Sequence, residues 1–417
     1  MTRLTPGFFA VATLLLLAAC TGTSEPLTPT LLVTGYGGTS DPKVALIRDD
    51  LSVTPTRLAF LPESVRPLSA PSVAYDVVDR ERARSALVVL SRNAAKVTDG
   101  AGDFLTTFSL TGIDPEAPAA FAQRGDVALG DFEVVPRPLQ GQLLAFCPTR
   151  VQVTQGGDYA AVLNEPSICG LQAPPFIDIL DLRGTRLLER IGGVSRSGLY
   201  LSQGATQDLL YYATPEAGVL RLRRSTLPRP GQLFGPDDTV ANVPVVAFTP
   251  PRGETDAVDL QSAGADTEER LVFLFRDSLV NITGFSGTGQ AGGIIDTARD
   301  NASVIRNDKR STEGTFILST PGAGVFTFVP PPSEDETLDR ESARVIATGA
   351  VIEPTRNLVY FVADPRATAQ GENVTLFNLN DYEVGDPLSD LGRVSVPQLT
   401  RPTFVTWAQS APRRATP

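Results

Sequence analysis

The side chains best suited to chemistry in this 417-residue chain are three thiols, Cys20, Cys147 and Cys169, and there is no histidine beside them. A missing imidazole removes the usual general base at neutral pH and the commonest metal ligand. Neither a Ser-His-Asp nor a Cys-His device can be assembled, and neither can a typical zinc site. The one methionine is Met1, which excludes thioether copper sites. Carboxylates remain, since 47 Asp and Glu outnumber 36 Lys and Arg and leave a net charge of −11. Paired acids can hydrolyse glycosides, but no two stand out by their spacing. The acidic balance also argues against phosphate-backbone binding, which Lys and Arg drive, so nucleic acid is not an expected partner.

Cys20 closes the stretch "LLLLAAC", the end of an apolar run that begins at Phe8. A spanning helix needs about 20 apolar residues, so this run is too short. With Arg3 before it and small residues after it, the segment has the three parts of an export signal. Leu17-Ala18-Ala19-Cys20 resembles the lipobox of bacterial lipoproteins: a Leu, two small residues and a Cys whose thiol takes up a diacylglycerol group. The resemblance implies that residues 1–19 are a cleaved signal peptide and that Cys20 becomes a lipidated first residue. Residues 20–30, including "TGTSEPLTPT", then serve as a polar tether. Two or more acyl chains hold a protein stably, so the chain is expected to be anchored to a membrane, not to span it. That places it in the bacterial cell envelope. Thr21, not Asp, follows the Cys, which favours the outer membrane in the enterobacterial sorting pattern, a rule not shared by every lineage.

In an exported, oxidising compartment the other two cysteines read differently. They flank "PTRVQVTQGGDYAAVLNEPSI", in which alternating apolar residues stop at Gly156-Gly157 and then resume, as in a hairpin. The open end of that hairpin brings Cys147 and Cys169 towards each other. A disulfide between them is expected, the alternative being two separately buried thiols. No Cys-x-x-Cys spacing marks a redox site.

The elements that position these residues are short runs of Val, Leu, Ile, Tyr, Phe and Thr, set between Gly and Pro spread along the whole chain. One unit recurs: a short strand, a polar turn, a strongly apolar strand, a second turn and an alternating strand. "SVAYDVVDRERARSALVVLSR" with "FLTTFSLTG" is one copy, and "RVQVTQGGDYAAVLNE" with "FIDILDLRG" is another. "GLYLSQGATQDLLYYATPEAGVLRLRR" is a third. "AVDLQSAGADTEERLVFLFRDSLVNITGF", "SVIRNDKRSTEGTFILSTPGAGVFTFV" and "TGAVIEPTRNLVYFVADPRATAQGENVTLFNLND" make six. "DRERARSALVVL" has the spacing of an amphipathic helix, but its place in the repeat calls for a turn and a strand.

The chain ends supply halves of a seventh copy. "TLLVTGYGGTSDPKVALIRDD" lacks an opening strand, and "PTFVTWAQS" is an opening strand with nothing after it. A radial array of four-stranded sheets needs such a closure, because an open ring leaves unpaired edges. The pattern resembles the seven-bladed β-propellers of WD-repeat-like and YVTN-like type. The expected fold is therefore all-β, a seven-bladed propeller over residues 31–410 closed by its N- and C-terminal segments, with 411–417 a disordered tail. The likeness is of pattern: the Trp-Asp dipeptide is absent and the single Trp, Trp407, lies in the closing strand. Spacing is uneven, and Ile113 to Phe146 leaves room for an extra strand or loop, so six or eight blades are alternatives. Two β-sandwiches would fit the strands but not the split end copies.

Three other motifs carry weak signals. "GTGQAG", Gly287 to Gly292, matches a dinucleotide fingerprint, which works only where a helix begins. Here it reads as a loop between blades. "NLNDYEVGD", Asn378 to Asp386, has oxygen ligands but not the spacing of a helix-loop-helix calcium site. "PPPSEDETLDRE", Pro330 to Glu341, reads as a solvated acidic loop able to meet a basic partner. No cofactor and no metal site are expected. The reading is a lipid-anchored, non-catalytic scaffold for an envelope protein partner of unknown identity. The alternative is a carboxylate-based hydrolase or lyase, or a glycan-binding propeller, using Asp, Glu and Arg in the central channel.

Overall fold

The computed structural model describes strands between residues 29 and 409, most of the turns within 148–253, and side chains for part of 133–282. The apolar runs between Gly and Pro become strands, and among the described residues these form seven sheets in chain order, antiparallel but for one short pair. The first sheet has the order Arg401–Gln409, Pro29–Gly37, Asp41–Arg48, Arg57–Phe60. In the second, Arg66–Pro67 and Ser72–Ala74 both pair with Ala86–Arg92, followed by Asp103–Ser109 and Ala122–Ala128. The third runs Pro148–Val153, Tyr159–Asn164, Phe176–Asp181, Arg186–Gly192, and the fourth Leu199–Gln203, Asp208–Glu216, Val219–Thr226, Asn242–Phe248. The fifth is Asp259–Ala263, Arg270–Leu274, Ser278–Thr283, Gln290–Asp296. The sixth has three strands, Val304–Asn307, Phe316–Thr320 and Gly324–Phe328. The seventh is Ala347–Glu353, Leu358–Ala363, Val374–Asn378, Ser389–Val394.

Period-two alternation decides where the core sits, because successive side chains leave opposite faces of a strand. Ala161, Leu163, Ile177 and Ile179 of the third sheet meet Leu199, Leu201, Leu210 and Tyr212 of the fourth. The other face of the fourth sheet, with Tyr211, Ala213, Leu220 and Leu222, packs on Leu271, Phe273, Val280 and Ile282 of the fifth. Both faces of the fourth sheet are thus buried. Each fully buried Leu, Ile or Phe contributes about 1.5–3 kcal/mol. The third, fourth and fifth sheets thus stack face to face in chain order, and apolar burial between them holds that part of the stack.

Among the described residues, the first-named strand of each sheet presents an edge with no strand paired beyond it, a position that leaves backbone groups to be satisfied by other means. Side chains do this between the third and fourth sheets. Arg150 Nη1 donates to the Leu199 carbonyl at 3.1 Å, and the Leu201 N–H donates to Gln152 Oε1. The two edge strands therefore run side by side in one direction. Around the molecule these edge strands also touch in succession, from Ser72–Ala74 through to Ala347–Glu353 and Arg401–Gln409.

Hairpin turns follow local chemistry. In "TPEAG" Ala217 and Gly218 have φ of 49° and 87°, the two left-handed residues of a turn whose twist matches the strands it joins. The long stretch from Ile113 to Phe146 contains the outer strand of the second sheet, Ala122–Ala128, and the two-residue strand Glu133–Val134. The latter pairs in parallel with Arg186 and Leu187, giving the third sheet a fifth strand. "GTGQAG" differs from the loop expected between sheets: Gln290–Asp296 starts inside it as the outer strand of the fifth sheet. Gly287 to Gly292 leads into extended backbone, not the helix N-terminus that a pyrophosphate needs. "DRERARSALVVL" ends in the strand Ala86–Arg92.

Candidate functional site

The densest polar chemistry among the described residues lies on the third and fourth sheets. On the third, Val162, Asn164, Phe176 and Asp178 fall on the face opposite the apolar one, since their positions alternate with Leu163, Ile177 and Ile179. Asp178 stands across from Arg190 in register. Arg190 Nε donates to Oδ1 at 2.7 Å and Nη2 to Oδ2 at 2.9 Å, while the guanidinium carbon lies 4.2 Å from the centre of the Phe176 ring. Asn164 Nδ2 donates to the Val162 carbonyl at 3.2 Å and approaches Asp178 Oδ2 at 3.5 Å. Burial pushes the Asp178 carboxyl above its ordinary range, and the Arg190 hydrogen bonds oppose that rise.

A second group gathers where the third sheet turns from Phe176–Asp181 to Arg186–Gly192. Asp181 Oδ1 accepts the N–H groups of Arg183 and Gly184 at 3.0 and 2.9 Å, and Oδ2 takes Arg186 at 2.7 Å. This is the local side-chain-to-backbone turn that Asp favours. Arg183, mostly exposed, reaches the buried Asp158 at 2.5 Å. Burial first, then the Asp181 and Asp158 charges, push the Tyr159 phenol up.

On the fourth sheet, Glu216 takes Arg223 at 2.6 Å and Arg221 at 2.8 Å. Hydrogen bonds from Arg223 and then Arg221 hold its carboxyl below the usual range. Glu189 crosses between sheets. Its Oε2 accepts the Val240 N–H at 2.7 Å, and burial pushes its carboxyl up. Nearby, the Ser225 hydroxyl donates to the Tyr212 oxygen at 3.5 Å. Each of these acids is committed to an arginine or to a backbone amide. The arrangement is suited to fixing strands and turns, and among the described residues no group of three or more Cys, Asp or Glu is placed to hold a metal ion.

Of the residues singled out in the sequence, Cys20 and Cys147 lie outside the described residues. Cys169 ends a short 3-10 helix, Pro166–Cys169, that begins two residues past Asn164. Asn378 ends the strand Val374–Asn378, and the rest of "NLNDYEVGD" lies outside the described residues, as does the acidic run from Pro330. The Asp178–Arg190 pair is invisible in a linear reading. Its signal is a twelve-residue spacing across "FIDILDLRGTRLLERI", which matches a cross-strand pair once the hairpin register is known.

No family model and no curated protein matches the chain. Among solved structures it is similar to a protein from Lactobacillus plantarum, with 12% identity and a TM-score of 0.53, covering 92% of this chain and 100% of that one. It also matches a chain in a crystal structure of the mitotic checkpoint complex at 8% identity and a TM-score of 0.42, covering 79% of this chain and 80% of that one. The likeness to the Lactobacillus plantarum protein is one of fold: antiparallel sheets in a β-propeller-like arrangement.

Proposed function

We propose that this chain is a lipid-anchored, seven-bladed β-propeller of the bacterial cell envelope that acts as a non-catalytic scaffold for a protein partner. One observation carries the architecture. Arg401–Gln409 pairs with Pro29–Gly37 in an antiparallel register that sets Trp407 opposite Leu31. The succession of contacts between the edge strands supports the same ring. A closed disc of this kind displays loops on two faces of a rigid support, which is where binding residues concentrate. The commitment of the described acids to ion pairs and backbone amides supports a structural role for them. The "LAAC" stretch ending at Cys20 supports the lipid anchor, with residues 1–19 removed.

Two measurements test this. Replacing Cys20→Ala should leave an uncleaved precursor; a variant still cleaved and still partitioning into detergent like the parent overturns the anchor. Full-length protein extracted in mild detergent should elute as a defined complex with one envelope protein, and cross-linking should locate the contact on propeller loops. Recovery as a single chain that hydrolyses or binds envelope glycans would establish the channel-based alternative instead.

A further inference from the structure

Resting on that reading of Cys20 and of the ring, we infer that one end of the propeller faces the bilayer: the end bearing the 182–185 turn. The opposite end, bearing the 165–175 connection, faces away. The argument begins at Pro29. The strand Pro29–Gly37 is second in its sheet, beside Arg401–Gln409 and with two strands beyond it. Its counterpart in the third sheet is Tyr159–Asn164, also second, whose first residue lies opposite Asp181. Asp181 immediately precedes the 182–185 turn. A second strand therefore starts at the turn end of its sheet and finishes at the other end, where Asn164 meets Phe176.

Neighbouring sheets keep this orientation. The Arg150 and Gln152 bonds align the edge strands of the third and fourth sheets in one direction. The second strands of both sheets also begin with the same backbone contact: the Asp158 carbonyl accepts the Leu182 N–H, and the Asp208 carbonyl accepts the Leu227 N–H. Extended to the first sheet, the repeat puts Pro29 at the end of the disc that carries the 182–185 turn.

Tether length then limits how the disc can sit. Eight residues, Thr21 to Thr28, separate Cys20 from Pro29. Fully extended they reach about 30 Å at most. Laying the opposite face on the membrane would take the tether past two outer strands, roughly 5 Å each, and up a sheet about 20 Å tall. That path consumes the whole extended length, whereas the turn end needs no detour. The C-terminal segment leaves from the same place, because Gln409 pairs with Pro29. Arg413 and Arg414 follow it in sequence, a pair of cations that anionic headgroups attract in a chain whose net charge is −11.

The test uses full-length lipidated protein in vesicles of phosphatidylethanolamine and phosphatidylglycerol doped with an acceptor-labelled lipid. A donor dye is placed through a click-reactive amino acid at Arg183, 68% exposed at the turn end, or at Leu171, 45% exposed in the 165–175 connection. The two positions lie about 20 Å apart along the sheet, so energy transfer should be at least about twofold greater from position 183. If the Arg183 variant unfolds, the exposed Glu133 replaces it, since its N–H donates to the Thr185 carbonyl at the same end. Equal or reversed transfer in protein that floats with the vesicles overturns the orientation and leaves the anchor standing. Failure to float overturns the anchor and the orientation together. Inserting about 30 Gly and Ser residues after Thr28 should erase the contrast, since such a tether averages about 35 Å; a contrast that persists would show that the tether does not set the orientation.

Discussion

Asp178 and Arg190 face each other on neighbouring strands and join through two parallel hydrogen bonds, 2.7 and 2.9 Å long, with the Asp side chain 3% exposed. Burying such a pair is expensive, and removing one partner strands the other. Arg190→Met should lower stability by about 3–5 kcal/mol. The double variant Asp178→Leu/Arg190→Met should recover most of that loss, read from urea midpoints in a double-mutant cycle. Additive losses would mean that the two side chains act independently.

Gly184 occupies a space already taken. A Cβ there would lie 2.6 Å from Arg186 Nε and 2.7 Å from Asp181 Oδ2, whereas at Gly192 it would meet nothing within 4 Å. Gly184→Ala should destabilise by about 1–2 kcal/mol through displacement of the ion pair. Gly192→Ala should be nearly neutral, and thermal unfolding of the two variants compares them directly.

Glu189 gives a pH dependence of defined sign. Burial raises its folded pKa above 4.5, so between 4.5 and the folded value the native state holds more protons than the unfolded one. Stability from this residue therefore falls as pH rises through that window. Glu189→Gln keeps an acceptor for the Val240 N–H and removes the titration. Urea midpoints of the two proteins should be close at pH 4 and diverge in favour of the variant by pH 7. Divergence in favour of the wild type would contradict the assignment.

The C-terminal strand tests the ring. Deleting residues 403–417 removes most of Arg401–Gln409 and exposes a sheet edge along Pro29–Gly37, so aggregation is expected. Trimming 412–417 should change little, because a polar tail past the last strand buries little. Limited proteolysis of the larger deletion should yield no stable half-chain, and a stable N-terminal half would contradict a single ring.

For the cysteines, the register pairs Pro148 with Asn164. Cys147 precedes Pro148 in sequence, and Cys169 ends the short helix that follows Asn164. Mass mapping of unreduced, thiol-blocked protein should find the two peptides linked. Reduction should cost about 3 kcal/mol in the chain-entropy model. Two alkylated thiols in protein isolated with thiols blocked at lysis would refute the bond.

Much of the strand layout is legible in sequence because the chain punctuates itself. "TPEAG" supplies the left-handed pair Ala217 and Gly218, and the apolar strands alternate with few exceptions. Three features resist such a reading, each for a physical reason. Ala122–Ala128, "AQRGDVA", contains Gly and charges because it is an outer strand with one partner. Glu133–Val134 pairs with residues more than fifty positions away, a register that no local signal sets. Asn164, Asp178 and Arg190 look like solvent-facing positions of alternating strands, yet Asn164 and Asp178 are buried. Their pairing becomes visible only when the strands are laid side by side.

The pairing of Pro29–Gly37 with Arg401–Gln409 also dictates the order of events in folding. As the chain is synthesised, Pro29–Gly37 must wait for Arg401–Gln409. A loop of roughly 370 residues costs on the order of 5 kcal/mol in closure entropy, against about 1 kcal/mol for a three-residue hairpin. Local sheets can form as they emerge, but the final rivet forms once, late and slowly, as expected of a topology rich in distant contacts. Until then a strand with the sequence "PTLLVTGYG" presents a bare edge to every neighbouring chain. Factors that shield exposed strand edges would therefore matter most for this protein in the interval between emergence of Pro29–Gly37 and arrival of Arg401–Gln409.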